Sequence, residues 1–298
     1  MEEGKLLILG ASGMLGKEVV EYFSVNTEYQ MHAISRTPDE SVIKNVFWHY
    51  LDITDTYSFD LVLKEISPSI IINCAANVNI EFCEKYKDLS DLINSEVIKT
   101  ISLAVPNSKL VYISTDSVFD GHKGSYTEED EKSPLNNYAK SKLKGEEYTL
   151  NLMKDSIVIR TNIYGLNNGK GRSLVNWILD NLSSNNHIYG YVNVYFNPVY
   201  TKQLAKVILE LIQNKFVGEL HVGSDLLISK YDFIKNIISV FGFNEKKLKI
   251  SKYNNEESSV KRPLNTTLST TKLFNNLGYV PSFEKGILEI QNDFKQTK

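Results

Sequence analysis

The chain has 298 residues, 33 basic against 36 acidic side chains, a net charge of −3, and 42% hydrophobic residues. At roughly 150 residues per domain this allows about two domains with a core that needs no disulfide or metal staple. The charge balance argues against a nucleic-acid coat, Cys74 and Cys83 are too few for a disulfide framework, and no apolar run reaches membrane-spanning length.

The N-terminus, Met1-Glu2-Glu3-Gly4-Lys5, opens acidic and lacks a basic segment followed by an apolar stretch, so it does not read as a signal peptide. A soluble, cytoplasmic protein is expected. Lys5–Leu9 reads as a short strand and Met14–Phe23 as an amphipathic helix. Gln30–Ile34 and Val46–Leu51 read as strands, and Tyr57–Ile66 as a helix stopped by Pro68. Ser69–Ala75 and Lys109–Ser114 are unbroken apolar runs, the pattern of strands buried on both faces. Between them Asp88–Ala104 reads as one helix; Asn137–Met153 is a long helix and Ser156–Thr161 a sixth strand. This alternation predicts an α/β fold of Rossmann type, a doubly wound parallel sheet.

After about residue 162 the rhythm loosens. Residues 167–172 form a Gly/Asn-rich loop. Helices are expected at Ser173–Leu182, Tyr200–Gln213, Lys230–Phe241, Ser269–Leu277 (closed by Gly278) and Phe283–Phe294, with strands at Glu219–Val222 and Lys247–Lys252. The division expected is a dinucleotide-binding domain over 1–162 that includes the long helix, and a smaller, partly interleaved substrate domain over 163–298. Residues 195–222 of the second should pack back on the first.

The first strand runs into Gly10-Ala11-Ser12-Gly13-Met14-Leu15-Gly16. A tight turn, close approach of backbone N–H groups to a pyrophosphate, and close helix–strand packing each ask for a residue without Cβ. The helix that follows points its positive end at the phosphates. The spacing is GxxGxxG rather than GxGxxG, so the context of strand, turn and helix carries the reading. Gly10, Ser12, Gly13, Met14, Leu15 and Gly16 are therefore expected along a dinucleotide. After the second strand stand Ser35 and Arg36, with no acid before Asp39; a guanidinium suits a 2′-phosphate, so NADPH is expected, with NADH as the alternative. Asp52, ahead of Ile53, is a candidate partner for an adenine amino group, or a local cap.

Tyr138 and Lys142 stand at i, i+4 on one helical face. A phenol titrates near about 10, and a neighbouring ammonium lowers that value, which would equip Tyr138 as a proton donor to a carbonyl. The strand before it ends in Ser114-Thr115-Asp116, placing hydroxyls at the sheet edge where open α/β sheets bind ligands. The five histidines show no metal-ligand spacing, and neither a Walker motif nor GxSxG occurs. Cys83 reads as a thiol without a catalytic role, and the acidic run Glu128–Glu131 as a solvated loop.

These motifs resemble the extended short-chain dehydrogenase/reductases, and within them the dTDP-4-dehydrorhamnose reductase branch. The matching stretches, in family order, are GASGMLG (Gly10–Gly16), NCAA (Asn73–Ala76), STDSVFDG (Ser114–Gly121), SPLNNYAKSKLKGE (Ser133–Glu146), IRTNIYG (Ile159–Gly165), NPVYTKQLA (Asn197–Ala205) and RPLNTTL (Arg262–Leu268).

The resemblance implies a catalytic set of Thr115 (or Ser114), Tyr138 and Lys142. It implies hydride transfer from NADPH to C4 of a nucleotide-linked 4-keto-6-deoxy sugar. It further implies Ile53, Cys74, Ala75, Ala76 and Asn94 around the cofactor, and Ser114, Asp116, Ser117, Asn162 and Arg262 around the sugar nucleotide, with Arg262 on the diphosphate. Two departures stand out: Ser117 replaces a tyrosine, and RTNIYG is shorter than the family's RTSWVYG. A UDP-linked 4-keto-6-deoxy-N-acetylhexosamine is therefore expected as readily as dTDP-4-dehydrorhamnose. An epimerase or dehydratase, and a cofactor-binding regulatory subunit like that of methionine adenosyltransferase, are the alternatives. A homodimer is common among extended members.

Overall fold

A computed structural model describes residues 4–37, 43, 45–167 and 173–296. Asp39, residues 1–3, and the loop expected at 167–172 from residue 168 onward lie outside them.

The first half alternates β1 (Lys5–Leu9), α1 (Met14–Asn26), β2 (Gln30–Ser35), β3 (Val46–Tyr50), α2 (Thr56–Ile66), β4 (Ile70–Asn73), α3 (Ile80–Lys85), α4 (Lys87–Asp91), α5 (Val97–Ala104), β5 (Lys109–Ile113), α6 (Asn137–Leu152) and β6 (Ser156–Thr161). It continues with β7 (Ile163–Tyr164), α7 (Leu174–Ser183), β8 (Ile188–Tyr191), β9 (Tyr195–Phe196), β10 (Val199–Tyr200), α8 (Thr201–Gln213), β11 (Gly218–Val222), β12 (Ile228–Ser229), α9 (Lys230–Phe241), β13 (Leu248–Ser251), α10 (Thr271–Leu277) and α11 (Phe283–Gln296).

Seven strands form one parallel sheet in the order β11-β6-β5-β4-β1-β2-β3. The chain order reverses between β1 and β4, and the crevice above such a switch point is where open sheets take ligands. The apolar strands explain the two layers. Leu6 and Ile8 face the cluster made with α1, α8 and α10, whereas Leu7 and Leu9 face the one made with α2 and α5. A strand with both faces covered must be apolar at every position, which is why β1, β4 and β5 lack alternation.

β11 and α8, from within residues 201–222, join this sheet and its core. A second core gathers Tyr164, Phe196, Phe233 and Phe283, with α7, α9 and α11 around them.

Two helical expectations are corrected. The helix expected over 88–104 is α4, a π-turn at Leu92–Glu96, and α5. The wide turn seats Asn94, whose amide reaches outside the helix, and such turns recur at functional sites. The short α3, capped by Asn79 onto the Phe82 N–H, was not expected: six residues give too little periodicity to read. The acidic run is not a solvated loop throughout. Glu128 is buried and accepts from the His221 N–H at 2.8 Å, while Asp130 binds Lys123 at the surface.

Candidate active site

The glycine turn is built as its composition requires. Gly10 has φ +70°, and a Cβ there would lie 2.7 Å from the Ala75 backbone nitrogen. A Cβ on Gly16 would lie 2.2 Å from the Gly10 carbonyl oxygen, so α1 could not pack so close to β1 with any other residue. No side chain caps α1, whose N-cap is Gly13, leaving its first N–H groups facing the crevice. Beside the turn, Asn73 accepts from the Ala75 N–H at 3.1 Å, and its buried side-chain nitrogen has no partner. A Cβ-free cradle, an open helix N-terminus and an orphaned buried donor fit a dinucleotide pyrophosphate. Ser12 and Met14 are half-buried at this turn, and Leu15 is buried beneath it.

Arg36 is exposed just past β2, and the Ser35 hydroxyl fixes the turn by donating to the Thr37 carbonyl at 2.6 Å. Cys74, Ala75 and Ala76 follow β4, half-buried. Burial pushes the Cys74 thiol up to about 12, opposed by the charge of Lys142, so these two share the crevice.

Three residues expected at the cofactor also hold the fold together. Asp52 turns one oxygen onto its own chain, Oδ1 accepting from the Thr54 N–H and hydroxyl at 2.9 and 2.8 Å, which is the local cap. Ile53 points into the core with Phe59 and Leu63, because an apolar side chain after β3 gains more by burial than at the rim. Asn94 is fully buried: Oδ1 accepts from the Asn77 N–H at 2.8 Å, and Nδ2 reaches the Asn77 carbonyl and the Ser141 hydroxyl. It ties the segment between β4 and α3 to α6, which makes it a positioning residue.

At the end of β5 the neighbouring hydroxyls part. Ser114 donates to Glu146 inside the protein, whereas Thr115 Oγ1 accepts from the Ser117 N–H at 3.1 Å and reaches Asp116 at 3.2 Å. The Thr115 hydroxyl also acts on the Tyr138 phenol, favouring its ionised form. Of the two candidates, the structure brings Thr115 to Tyr138, and Ser114 is corrected from a substrate contact to an internal brace.

Asp116 is buried and saturated. Its carboxylate accepts from Thr115, Ser117, Asn162 (2.8 Å) and Thr266 (2.5 Å). Asp116, Ser117 and Asn162, all expected on the substrate, thus form a knot joining β5, the start of β7 and the C-terminal stretch. A buried carboxylate is costly to leave unpaired, and these four donors satisfy both of its oxygens.

Tyr138 and Lys142 stand one turn apart on α6, started by the Asn136 side chain on the Ala139 N–H. Burial lifts the Tyr138 phenol to about 12, opposed by the nearby Thr115 hydroxyl. The expected lowering by Lys142 does not occur in this structure. The Lys142 ammonium instead donates to the Ile113 carbonyl at 2.7 Å and lies 4.1 Å from the Tyr112 ring centre. Burial lowers Lys142 to about 7, with Glu146 opposing.

Glu146, one further turn along, binds Arg160, which in turn meets Glu219 and His221. Arg160 is wholly buried, an ion-pair network under the catalytic helix that was not anticipated. An arginine inside the apolar run SIVIRT was the available signal.

Arg262 pairs with Glu81 at 2.5 Å across from α3, and its buried Nε has no partner. Its fork is thus partly spent within the protein. Among the described residues, no group of three or more His, Cys, Asp or Glu is placed to hold a metal. No described helix is long and apolar enough to cross a membrane.

Comparison with known proteins fits this geometry. The chain is 30% identical to dTDP-4-dehydrorhamnose reductase of Aggregatibacter actinomycetemcomitans, over 93% of this chain and 95% of that protein. It is 26% identical to methionine adenosyltransferase 2 subunit beta of Xenopus tropicalis, over 96% and 86%. The crystal structure of dTDP-4-dehydrorhamnose reductase from Bacillus anthracis in complex with NADP superposes with a TM-score of 0.85 at 28% identity, covering 98% of this chain and all of that one. A family profile, the RmlD substrate binding domain, matches residues 4–296. The chain therefore belongs to the RmlD substrate binding domain family of extended short-chain dehydrogenase/reductases.

Proposed function

We propose that this chain is an NADPH-dependent reductase of the C4 ketone of a nucleoside-diphosphate 4-keto-6-deoxy sugar. The observation that carries the reading is the Thr115 hydroxyl set against the Tyr138 phenol at the mouth of the crevice, with Lys142 one turn along the same helix. NADPH, when bound, supplies the hydride to the carbonyl carbon. A phenol held near 12 is protonated at neutral pH, the form that gives its proton to a carbonyl oxygen becoming an alkoxide. Thr115 orients that oxygen and the phenol together, and Lys142 holds the nicotinamide ribose. The open start of α1 and the glycine turn take the pyrophosphate, Arg36 the 2′-phosphate. Residues 1–162 serve the cofactor, and 163–298 mainly choose the sugar.

Ser117 and the short Asn162-Ile163-Tyr164-Gly165 segment leave dTDP- and UDP-linked sugars both as candidates. The deciding experiment offers dTDP-, UDP- and GDP-linked 4-keto-6-deoxy sugars with NADPH and follows its oxidation. Turnover of one of them supports the reading; NADPH left intact with all of them overturns it. The relationship to methionine adenosyltransferase 2 subunit beta favours a second reading, a cofactor-binding regulatory subunit. Stoichiometric co-purification with an enzyme, and no reductase activity, is its signature.

A further inference from the structure

Lys230 opens α9, directly after β12, with its backbone N–H on the Val194 carbonyl at 2.8 Å. Its ammonium lies 3.3 Å from the centre of the Phe196 ring. Phe196 belongs to β9, whose Tyr195 binds the backbone of Leu264 and Thr266, and Thr266 donates to Asp116. Lys230 therefore stands on the C-terminal wall of the crevice, across Asp116 from Tyr138; the Asp116 charge acts on both side chains.

Three features distinguish this lysine from a structural one. It forms no ion pair among the described residues, and Asp116 cannot supply one because four donors already occupy its oxygens. It is half-buried, so water compensates its charge only in part. It sits in the first turn of a twelve-residue helix, where the helix dipole disfavours a cation. The Phe196 ring is the one favourable contact the ammonium has among the described residues, and it leaves the charge free for an arriving anion.

We infer that Lys230 is a substrate-binding residue that takes the diphosphate of the nucleotide-sugar substrate. The inference rests on the proposed function, which puts a diphosphate in this crevice. It draws also on the placement of the other cations: one nitrogen of Arg262 is paired with Glu81 at the surface, and Arg36 lies at the cofactor end of the sheet. A π-face beneath the ammonium holds it in place without neutralising it.

The test is calorimetric binding of UDP, dTDP and GDP, with uridine, thymidine and guanosine as references, to the wild type, Lys230→Met and Lys230→Arg. The wild type should bind one of the diphosphates more tightly than its nucleoside. Lys230→Met should weaken that diphosphate by about tenfold or more, leaving the nucleoside unchanged, as expected for loss of a charge-assisted hydrogen bond. Lys230→Arg should restore most of it. Unchanged NADP binding and melting temperature in Lys230→Met show that the variant is folded. Diphosphate binding by Lys230→Met equal to wild type overturns the inference and leaves the reductase reading standing. So does an equal loss for nucleoside and diphosphate. A wild type that binds none of the three diphosphates overturns both.

Discussion

Ser114 Oγ lies 2.5 Å from Oε1 of Glu146, inside the protein, while the next residue, Thr115, turns its hydroxyl to the crevice and Tyr138. Consecutive side chains of an extended strand point to opposite faces, so only one of these two hydroxyls can serve the site. The same alternation separates the sheet's binding edge from the buried ion pair of Glu146 and Arg160.

The two hydroxyls should separate by mutation. Thr115→Val should lower kcat by about 10²-fold, the usual worth of a positioned proton-transfer or oxyanion partner. Ser114→Ala should leave kcat within about threefold and lower the melting temperature instead, since it removes a hydrogen bond to a buried carboxylate worth about 1–3 kcal/mol. NADPH oxidation and thermal unfolding of both variants check this. The reverse pattern, with Ser114→Ala inactive and Thr115→Val active, would reassign the site.

Tyr138→Phe removes the phenolic proton while keeping the ring. Turnover should fall by at least about 10²-fold, with NADP affinity unchanged. The pH profile carries a second signature. Because burial holds the phenol near 12, ketone reduction should lose no rate to Tyr138 ionisation between neutrality and about pH 10. An alkaline fall in kcat near pH 7 to 8 that disappears in a residual-activity profile of Tyr138→Phe would contradict that assignment.

Most of the parallel sheet was legible because β1, β4, β5 and β6 are uninterrupted apolar runs separated by helical spacing. Gly10, Gly13 and Gly16 were legible because backbone geometry demands them. The rest depended on contacts between distant segments. Asp116 was found, but not its role: Thr266 lies 150 positions away along the chain. Lys230 follows an ordinary Leu-Ile-Ser stretch, and nothing local marks it as a cation facing a crevice. The Tyr138–Lys142 spacing predicted a common face, and α6 supplies one, yet the ammonium turns to Ile113 because a strand-end carbonyl is the nearer acceptor. The paired strands of the second module, two to four residues each, are too short to carry a period.

Lys142 should make stability without cofactor depend on pH. Its value falls from 10.5 in the unfolded chain to about 7 in the folded one. Between those limits the unfolded state holds the extra proton, so stability rises with pH from about 7 to 10.5, and the penalty is fully present below about 7. At about 1.4 kcal/mol per unit the penalty reaches roughly 5 kcal/mol. Lys142→Met, which keeps the apolar stem, should therefore be more stable than wild type at pH 6, and the difference should close by about pH 10.5. Denaturant titrations of both proteins at several pH values measure it. A difference that stays constant with pH would show that Lys142 remains charged in the fold.

Arg36 should decide the coenzyme. It is exposed just past β2, in a turn fixed by the Ser35 hydroxyl, and its removal should cost the fold no more than about 0.5 kcal/mol. A 2′-phosphate placed there would gain charge-assisted, two-pronged hydrogen bonds from the guanidinium, whereas a 2′-hydroxyl would gain little. Arg36→Ala should therefore lower kcat/KM for NADPH by about tenfold or more and leave kcat/KM for NADH nearly unchanged. Because Arg36 is remote from Tyr138 in the sheet, the loss should fall in KM, with kcat at saturating NADPH retained. Initial rates with both coenzymes test this directly. Equal losses for NADPH and NADH would show that Arg36 shapes the turn without reading the phosphate, and a wild type that prefers NADH would refute the assignment outright.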